Sequence, residues 1–391
     1  MYYLVAIVGL AILMIVHEAG HFLMARRAGM RVTKFSIGFG PTFFKIQPID
    51  ESGTEADRAA DRDNDRKPPQ SYFWFTAFGD RLRFRLMKYD PARHGPTIYQ
   101  VAMIPFLAYV QIAGMNPLED VDPNDKGSYA NARLLPRVLT IAGGPVMNYL
   151  FASIFFFIVH FIHGKDVMRG GTYIEVADEP DAVAAAKNGG MKDGDEIRTV
   201  DGVEVTKFED IPDLIKDKQG QVVHFVVLRK GQEVNLEVTP ELHSSRAMIG
   251  ITPEYVAQPE GVREATVAAL TEPVDVVKGV FRSIADKIHG RDDSKLSSAV
   301  GMVKEMKKVA ERSLFRFVSF LGAISAYLAV FNLLPIPALD GGRLLFLGYE
   351  AVTRKRPNPT MEAQIHGVAL VMLLGLMIYI TVANDLGLGA K

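Results

Sequence analysis

The chain has 391 residues, a formal net charge of −1 and no cysteine. That length allows two or three domains; the balanced charge excludes a strongly basic nucleic-acid-binding face, and the missing cysteines exclude disulfides and thiolate metal sites. Hydrophobic residues make up 48% and gather in long blocks between charged stretches, the distribution of a membrane protein with polar domains between its spans.

The first block, about Tyr2 to Ala25, reads as a membrane span. It has no positive leading region of the kind a signal peptide carries, and Arg26, Arg27, Arg31 and Lys34 follow it. Those cations put its far end in the cytoplasm and its N-terminus outside. Near the inner end lies His17-Glu18-Ala19-Gly20-His21. A helix sets His17 and His21 one turn apart on one face, where two imidazoles can hold one metal ion. Glu18 is placed to act on a water there, and Ala19 and Gly20 are small enough for close packing. Solvated histidines on an amphipathic helix are the bland alternative. The apolar block argues against it, since a charge at the bilayer centre costs about 2.5 kcal/mol or more.

Residues 31–47 and 97–114 hold β-like runs rich in Phe, Tyr, Val and Ile, with turn signals at Gly38, Gly40 and Pro41. Between them lies an insertion, 45–96. Its segment Asp50 to Gln70 is dense in Asp, Glu and Arg and reads as a disordered cytoplasmic stretch. Its segment Ser71 to Lys88 carries the only tryptophan, Trp74, and an Arg81/Arg83/Arg85 alternation. It reads as a hairpin or as a segment lying on anionic lipid.

A second span is expected at about Leu135 to Ile162, with Arg133 and Arg137 at its inner end. It contains Gly143-Gly144-Pro145 and Asn148, the glycines suiting close helix packing, and His160 and His163 read as interfacial polar residues rather than a second metal site. Residues 166–256 read as a small β-rich module with two helices, its strands including Glu196–Val200, Gln221–Leu228 and Glu233–Val238. Residues 257–313 contain two amphipathic helices, Val262–Ile288 and Leu296–Ala310, expected on the outer membrane surface. Lys304, Lys307, Lys308 and Arg312 run against the positive-inside rule there, and the other flanks decide the orientation.

A third span, about Leu314 to Leu334, runs into Asn332-Leu333-Leu334-Pro335-Ile336-Pro337-Ala338-Leu339-Asp340-Gly341-Gly342. The prolines break the helix and let Asp340 turn back into the membrane, where irregular backbone persists only if it lines a cavity. Asp340 then offers the third ligand to the histidine pair, leaving one coordination position open, as catalytic zinc sites do. An ordinary turn after a span is the alternative reading of Asp340-Gly341-Gly342. A fourth span, about Ile365 to Val382, returns the chain to the outside.

These motifs resemble the site-2 protease family of intramembrane zinc metalloproteases, in its bacterial regulator-of-sigma-E protease branch. The resemblance rests on His17 to His21, on Gly144-Pro145-Val146-Met147-Asn148, on Asn332 to Gly342, and on the runs Phe35-Ser36-Ile37-Gly38-Phe39-Gly40 and Ile104 to Val110. It implies a multi-pass α-helical membrane protein of four transmembrane helices. A membrane-associated β-structure and one inserted extracytoplasmic PDZ-like domain (166–256) complete that architecture, and the membrane core divides into 1–165 and 314–391. It further implies that His17, His21 and Asp340 bind Zn2+ and Glu18 is the general base. Asn332 would bind substrate backbone, and Tyr109 and Val110 would lie on the strand that pairs with the substrate. The substrates implied are single-span transmembrane proteins, an anti-sigma factor or a remnant signal peptide, first trimmed by an upstream site-1-type protease. The setting implied is the bacterial cytoplasmic (inner) membrane, with both termini and the PDZ-like domain extracytoplasmic. The chain departs from the family at the insertion 45–96, and at Leu107 and Ala108, where members often have Gly-Gly. Two other classes compete: a catalytically silent PDZ membrane scaffold, which needs neither Glu18 nor Asp340, and a zinc transporter, which would string ligands along a path.

Overall fold

Long apolar sequences in this chain fold as helices because a helix satisfies every backbone hydrogen bond internally. The computed structural model describes residues 2–50, 71–77, 82–89, 95–176, 183–243, 246–289 and 299–385. Its long helices are α1 (Tyr2–Arg27), α2 (Leu134–Ile162), α3 (Val262–Ile288), α4 (Ala299–Arg312), α5 (Leu314–Phe331), α6 (Asp340–Thr353) and α7 (Pro359–Asp385). Four of them, α1, α2, α5 and α7, are long and apolar enough to cross a membrane. In α7 none of the most apolar stretch is buried, and Val371, Met372 and Tyr379 are 69–70% exposed. Such a surface suits lipid as its solvent.

Contacts divide the chain into two units, residues 1–157 with 266–391, and residues 158–265. In the first, Ala6 and Leu13 of α1 pack with Met306 of α4 and with Phe317, Leu321 and Ile324 of α5. The apolar face of α4 is thus covered by α1 and α5. Close crossings depend on missing side chains. A Cβ on Gly20 would stand 2.1 Å from the Gly143 carbonyl oxygen, so α1 and α2 meet backbone to backbone there.

One sheet supports this helical core: β1 (Val32–Asp50), β2 (Ser71–Ala77), β3 (Leu82–Lys88) and β4 (Ile98–Ile112), in the order β3-β2-β1-β4. β1 turns over at Gly38 and Gly40, whose φ of 84° and 90° suits glycine. Its two halves therefore flank the start of β4: both Phe35 and Ile46 lie opposite Tyr99. The end of β4 pairs on the far side of the first half, Val110 opposite Phe35. Within the segment read as a hairpin, Ser71–Ala77 and Leu82–Lys88 thus pair as antiparallel strands, while the stretch read as disordered, Asp50 to Gln70, falls almost wholly outside the described residues.

The second unit holds an antiparallel sheet of Gln232–Val238, Val223–Arg229, Glu196–Val200 and Val203–Glu204, in that order. Its core centres on Ile174, Ile197, Val200, Val223, Phe225 and Val227, each fully buried. Lys207 to Asp217, read as one helix, is a 3-10 turn (Phe208–Asp210) followed by a short α-helix (Ile211–Ile215). Pro212 accounts for the break, since its ring admits no donor at that position. His160 pairs with Glu260 at 2.6 Å and His163 with Asp166 at 3.0 Å.

Candidate metal centre

The helical turn of α1 brings the His17 and His21 rings to 4.8 Å, edge to face. Asp340 approaches from the first turn of α6. Its Oδ2 stands 3.1 Å from His17 Nε2 and 3.3 Å from His21 Nε2, and the two Nε2 atoms are 3.2 Å apart. Among the described residues this is the only group of three or more His, Asp or Glu side chains that could hold a metal.

The loop that delivers Asp340 is tightly constrained. Asn332 ends α5, and its carbonyl accepts from Gly341 N–H at 2.6 Å. Ala338 takes a left-handed φ of 76°, unusual for a residue with a Cβ, and its N–H donates to His366 Nδ1 at 2.9 Å. A Cβ on Gly341 would lie 2.0 Å from the Leu334 carbonyl oxygen. The glycines after Asp340 therefore let the loop fold down onto the helix it starts.

Partners on α2 fix the imidazoles. His21 Nδ1 lies 2.9 Å from the Thr140 carbonyl oxygen, which can only accept, so Nδ1 carries the proton and Nε2 presents a lone pair. The Asn148 amide lies 3.1 Å from His17 Nδ1, and Asn148 Oδ1 is buried without a partner. A half-turn of the amide lets Oδ1 accept from Nδ1–H and bares the second Nε2. Ser325 of α5 anchors Asn148 by donating to its carbonyl at 2.8 Å. Two lone pairs then face a buried carboxylate oxygen that has no hydrogen-bond partner. Three acceptors at such distances repel unless a cation lies among them, and two nitrogens with one oxygen suit zinc. Gly144 makes room: a Cβ there would stand 2.4 Å from His21 Nε2.

Glu18 sits beside this cluster, and its Oε2 accepts the Val110 N–H of β4 at 3.0 Å. A cavity of about 810 Å³ opens over the group, lined by His17, Glu18, Tyr109, Val110, Asn332 and Arg343 among others. All seven residues singled out from the sequence thus meet at one site. Asn148 and the Thr140 carbonyl were not assigned roles there. A signal for Asn148 existed: it lies one turn beyond Gly144, on the helix face that the glycine clears.

A paired-imidazole and carboxylate cluster with an adjacent glutamate, its histidines on a helix apolar enough to span a membrane, defines the class of membrane metallopeptidases. The model of peptidase family M50 matches residues 5–55 and 85–376, and the chain belongs to this family, the site-2 proteases. It is similar to the regulator of sigma-W protease RasP of Bacillus subtilis, 27% identical with 93% of each chain covered. It is also similar to the zinc metalloprotease RasP of Geobacillus kaustophilus, 25% identical over 93% of each chain. The protein is a zinc metallopeptidase.

Proposed function

We propose that this chain hydrolyses single-span membrane proteins within the bilayer, in regulated intramembrane proteolysis. The observation that carries the reading is the convergence of His17, His21, Asp340 and Glu18 at the meeting of two apolar helices. We assign His17, His21 and Asp340 as zinc ligands. Bound zinc supplies a Lewis acid that polarises a carbonyl and makes water acidic near neutral pH. Glu18 takes the proton of the attacking water and passes it to the leaving amine. Val110 N–H orients the Glu18 carboxylate, while Thr140 and Asn148 orient the imidazoles.

A transmembrane helix hides its carbonyls in its own hydrogen bonds, so the substrate must unwind before it is cut. The end of β4 lies at the sheet edge beside Glu18, which supports pairing of the unwound segment along Tyr109 and Val110. Asn332 at the cavity wall would hold substrate backbone. An anti-sigma factor is the substrate type favoured, since the Bacillus relative is named for regulating a sigma factor. The β-rich unit would act outside the cytoplasmic membrane as a PDZ-like filter for substrates already shortened by a site-1-type protease.

The test is cleavage in proteoliposomes of a single-span substrate with a short outer tail, mapped by mass spectrometry. The expected cut lies inside the apolar stretch and disappears with chelator. Cleavage confined to segments outside the span contradicts the reading.

A further inference from the structure

The family match passes over residues 56–84, so β2 and the start of β3 are additions to the family core. Cross-strand register shows what they add. Phe84 lies opposite Phe75, Phe75 opposite Ile46, Ile46 opposite Tyr99, and Tyr99 opposite Phe35. Directly opposed residues share a face of a sheet, so one face is apolar from the edge strand β3 to the first half of β1. The rings touch along it: Phe84 to Phe75 at 6.4 Å and Phe35 to Tyr99 at 6.5 Å. Phe22 of α1 packs on the near end, 5.6 Å from Phe35 and 6.0 Å from Tyr99.

At the far end Leu82 and Phe84 are 41% and 54% exposed, and Met87, beyond a bulge in the pairing, is 55% exposed. The reverse face differs in character. Arg85 lies opposite Trp74, which lies opposite Gln47, and the Arg85 guanidinium sits 4.6 Å from the Tyr72 ring centroid. An amphipathic sheet whose apolar side is bare at an edge strand aggregates in water unless something covers it. Its continuity with Phe22 names the cover, because Phe22 belongs to the last turns of α1, followed by Arg26 and Arg27. The apolar face begins where a lipid-immersed helix reaches the inner membrane interface.

We propose that the Leu82/Phe84 face of the β2–β3 extension rests in the cytoplasmic-side interface of the bilayer, its apolar side chains among the lipid acyl chains. This rests on the reading that α1 crosses the membrane. Such an anchor would hold the sheet, and with it the β4 edge beside Glu18, at the depth of the metal centre.

Fluorescence in vesicles tests it. Trp74 is the only tryptophan, so a Trp74→Phe background allows one indole to be placed at will. Phe84→Trp and, independently, Leu82→Trp report the apolar face, Arg85→Trp the reverse face, and Ile12→Trp the α1 span. Each full-length variant is reconstituted in phosphatidylcholine–phosphatidylglycerol vesicles with and without acyl-chain bromination, and its zinc retention reports folding. The expected result is blue-shifted emission at positions 82 and 84, lost to brominated lipid as at position 12, with position 85 quenched only by aqueous iodide. Iodide quenching without bromine sensitivity at both 82 and 84, with position 12 still bromine-quenched, overturns the proposal alone. An unquenched position 12 overturns the span reading and the proposal with it.

Discussion

His21 and His17 face the proposed metal through Nε2 because their Nδ1 atoms are occupied by α2, one by the Thr140 carbonyl and one by Asn148. Partners of this kind orient a ligand and raise its basicity, and their loss costs about 10–100-fold in metal affinity. Asn148→Leu is therefore expected to weaken zinc binding within that range in a chelator competition, whereas Asn148→Asp, which still accepts from Nδ1–H, keeps most of it. Unchanged affinity in Asn148→Leu would remove the residue from the site. The sequence spelled out His17, Glu18 and His21 because helical periodicity places them together over five residues. Asp340 was legible from its prolines and from the unfilled third position beside the histidines. Asn148 was legible only in part: it follows Gly144 by one turn on the face that glycine clears, but nothing local marks a buried amide as the partner of an imidazole on another helix.

At the scale of elements, the site depends on how closely α1 and α2 approach. Gly144→Ala puts a methyl group 2.4 Å from His21 Nε2. Overpacking of this kind costs about 1–3 kcal/mol, and the displaced imidazole should lose zinc as well, a double effect read by thermal unfolding and metal analysis. Gly375→Ala in α7, where nothing lies within 4 Å, is the neutral control. In the β-rich unit, Asp201 accepts from Lys218 Nζ at 2.5 Å and from His224 N–H at 2.7 Å. The Lys218 hydrogen bond, then that of His224, hold its carboxyl below the usual carboxylate range. A lowered folded pKa lends stability that is whole above the unfolded value, about 3.9, and is lost as pH falls through the folded one. Asp201→Asn is expected to shrink the acid-side loss of stability of this unit, as measured by denaturant melts between neutral and acid pH. The spans were readable to within a few residues at most ends, because twenty apolar residues have few other uses. Span four, expected from about Ile365, starts as helix α7 at Pro359. Span three was carried to Leu334, yet the helix stops at Phe331 so that Asn332 to Leu339 can form the loop. Helix α6 was not foreseen, since Gly341-Gly342 looks like a breaker until the close approach to Leu334 is seen.

For the whole molecule, we propose the orientation that the flanking cations imply, with the β-rich unit outside and the Arg354 turn inside. The chain has no cysteine, so single introduced thiols report sidedness without background. Lys230→Cys, at an exposed hairpin tip, should react with an impermeant maleimide on intact spheroplasts, and Arg354→Cys only after lysis. The reverse pattern would invert the molecule. A β-rich stretch was legible from turn spacing at 166–256, and contacts set the unit that holds it at residues 158–265. The fold-over of β1 around β4 was not, because it joins residues through pairing that no local pattern records. The proposed chemistry is that a zinc held by three side chains and a proton moved by Glu18 together cut a peptide bond in the membrane. The most direct measurement compares zinc-loaded wild type with Glu18→Gln on one reconstituted single-span substrate under single-turnover conditions, with bound zinc determined in the same samples. Equal zinc and a cleavage rate lower by about 10²–10⁴-fold in the variant are expected. Comparable rates with equal zinc would contradict that chemistry.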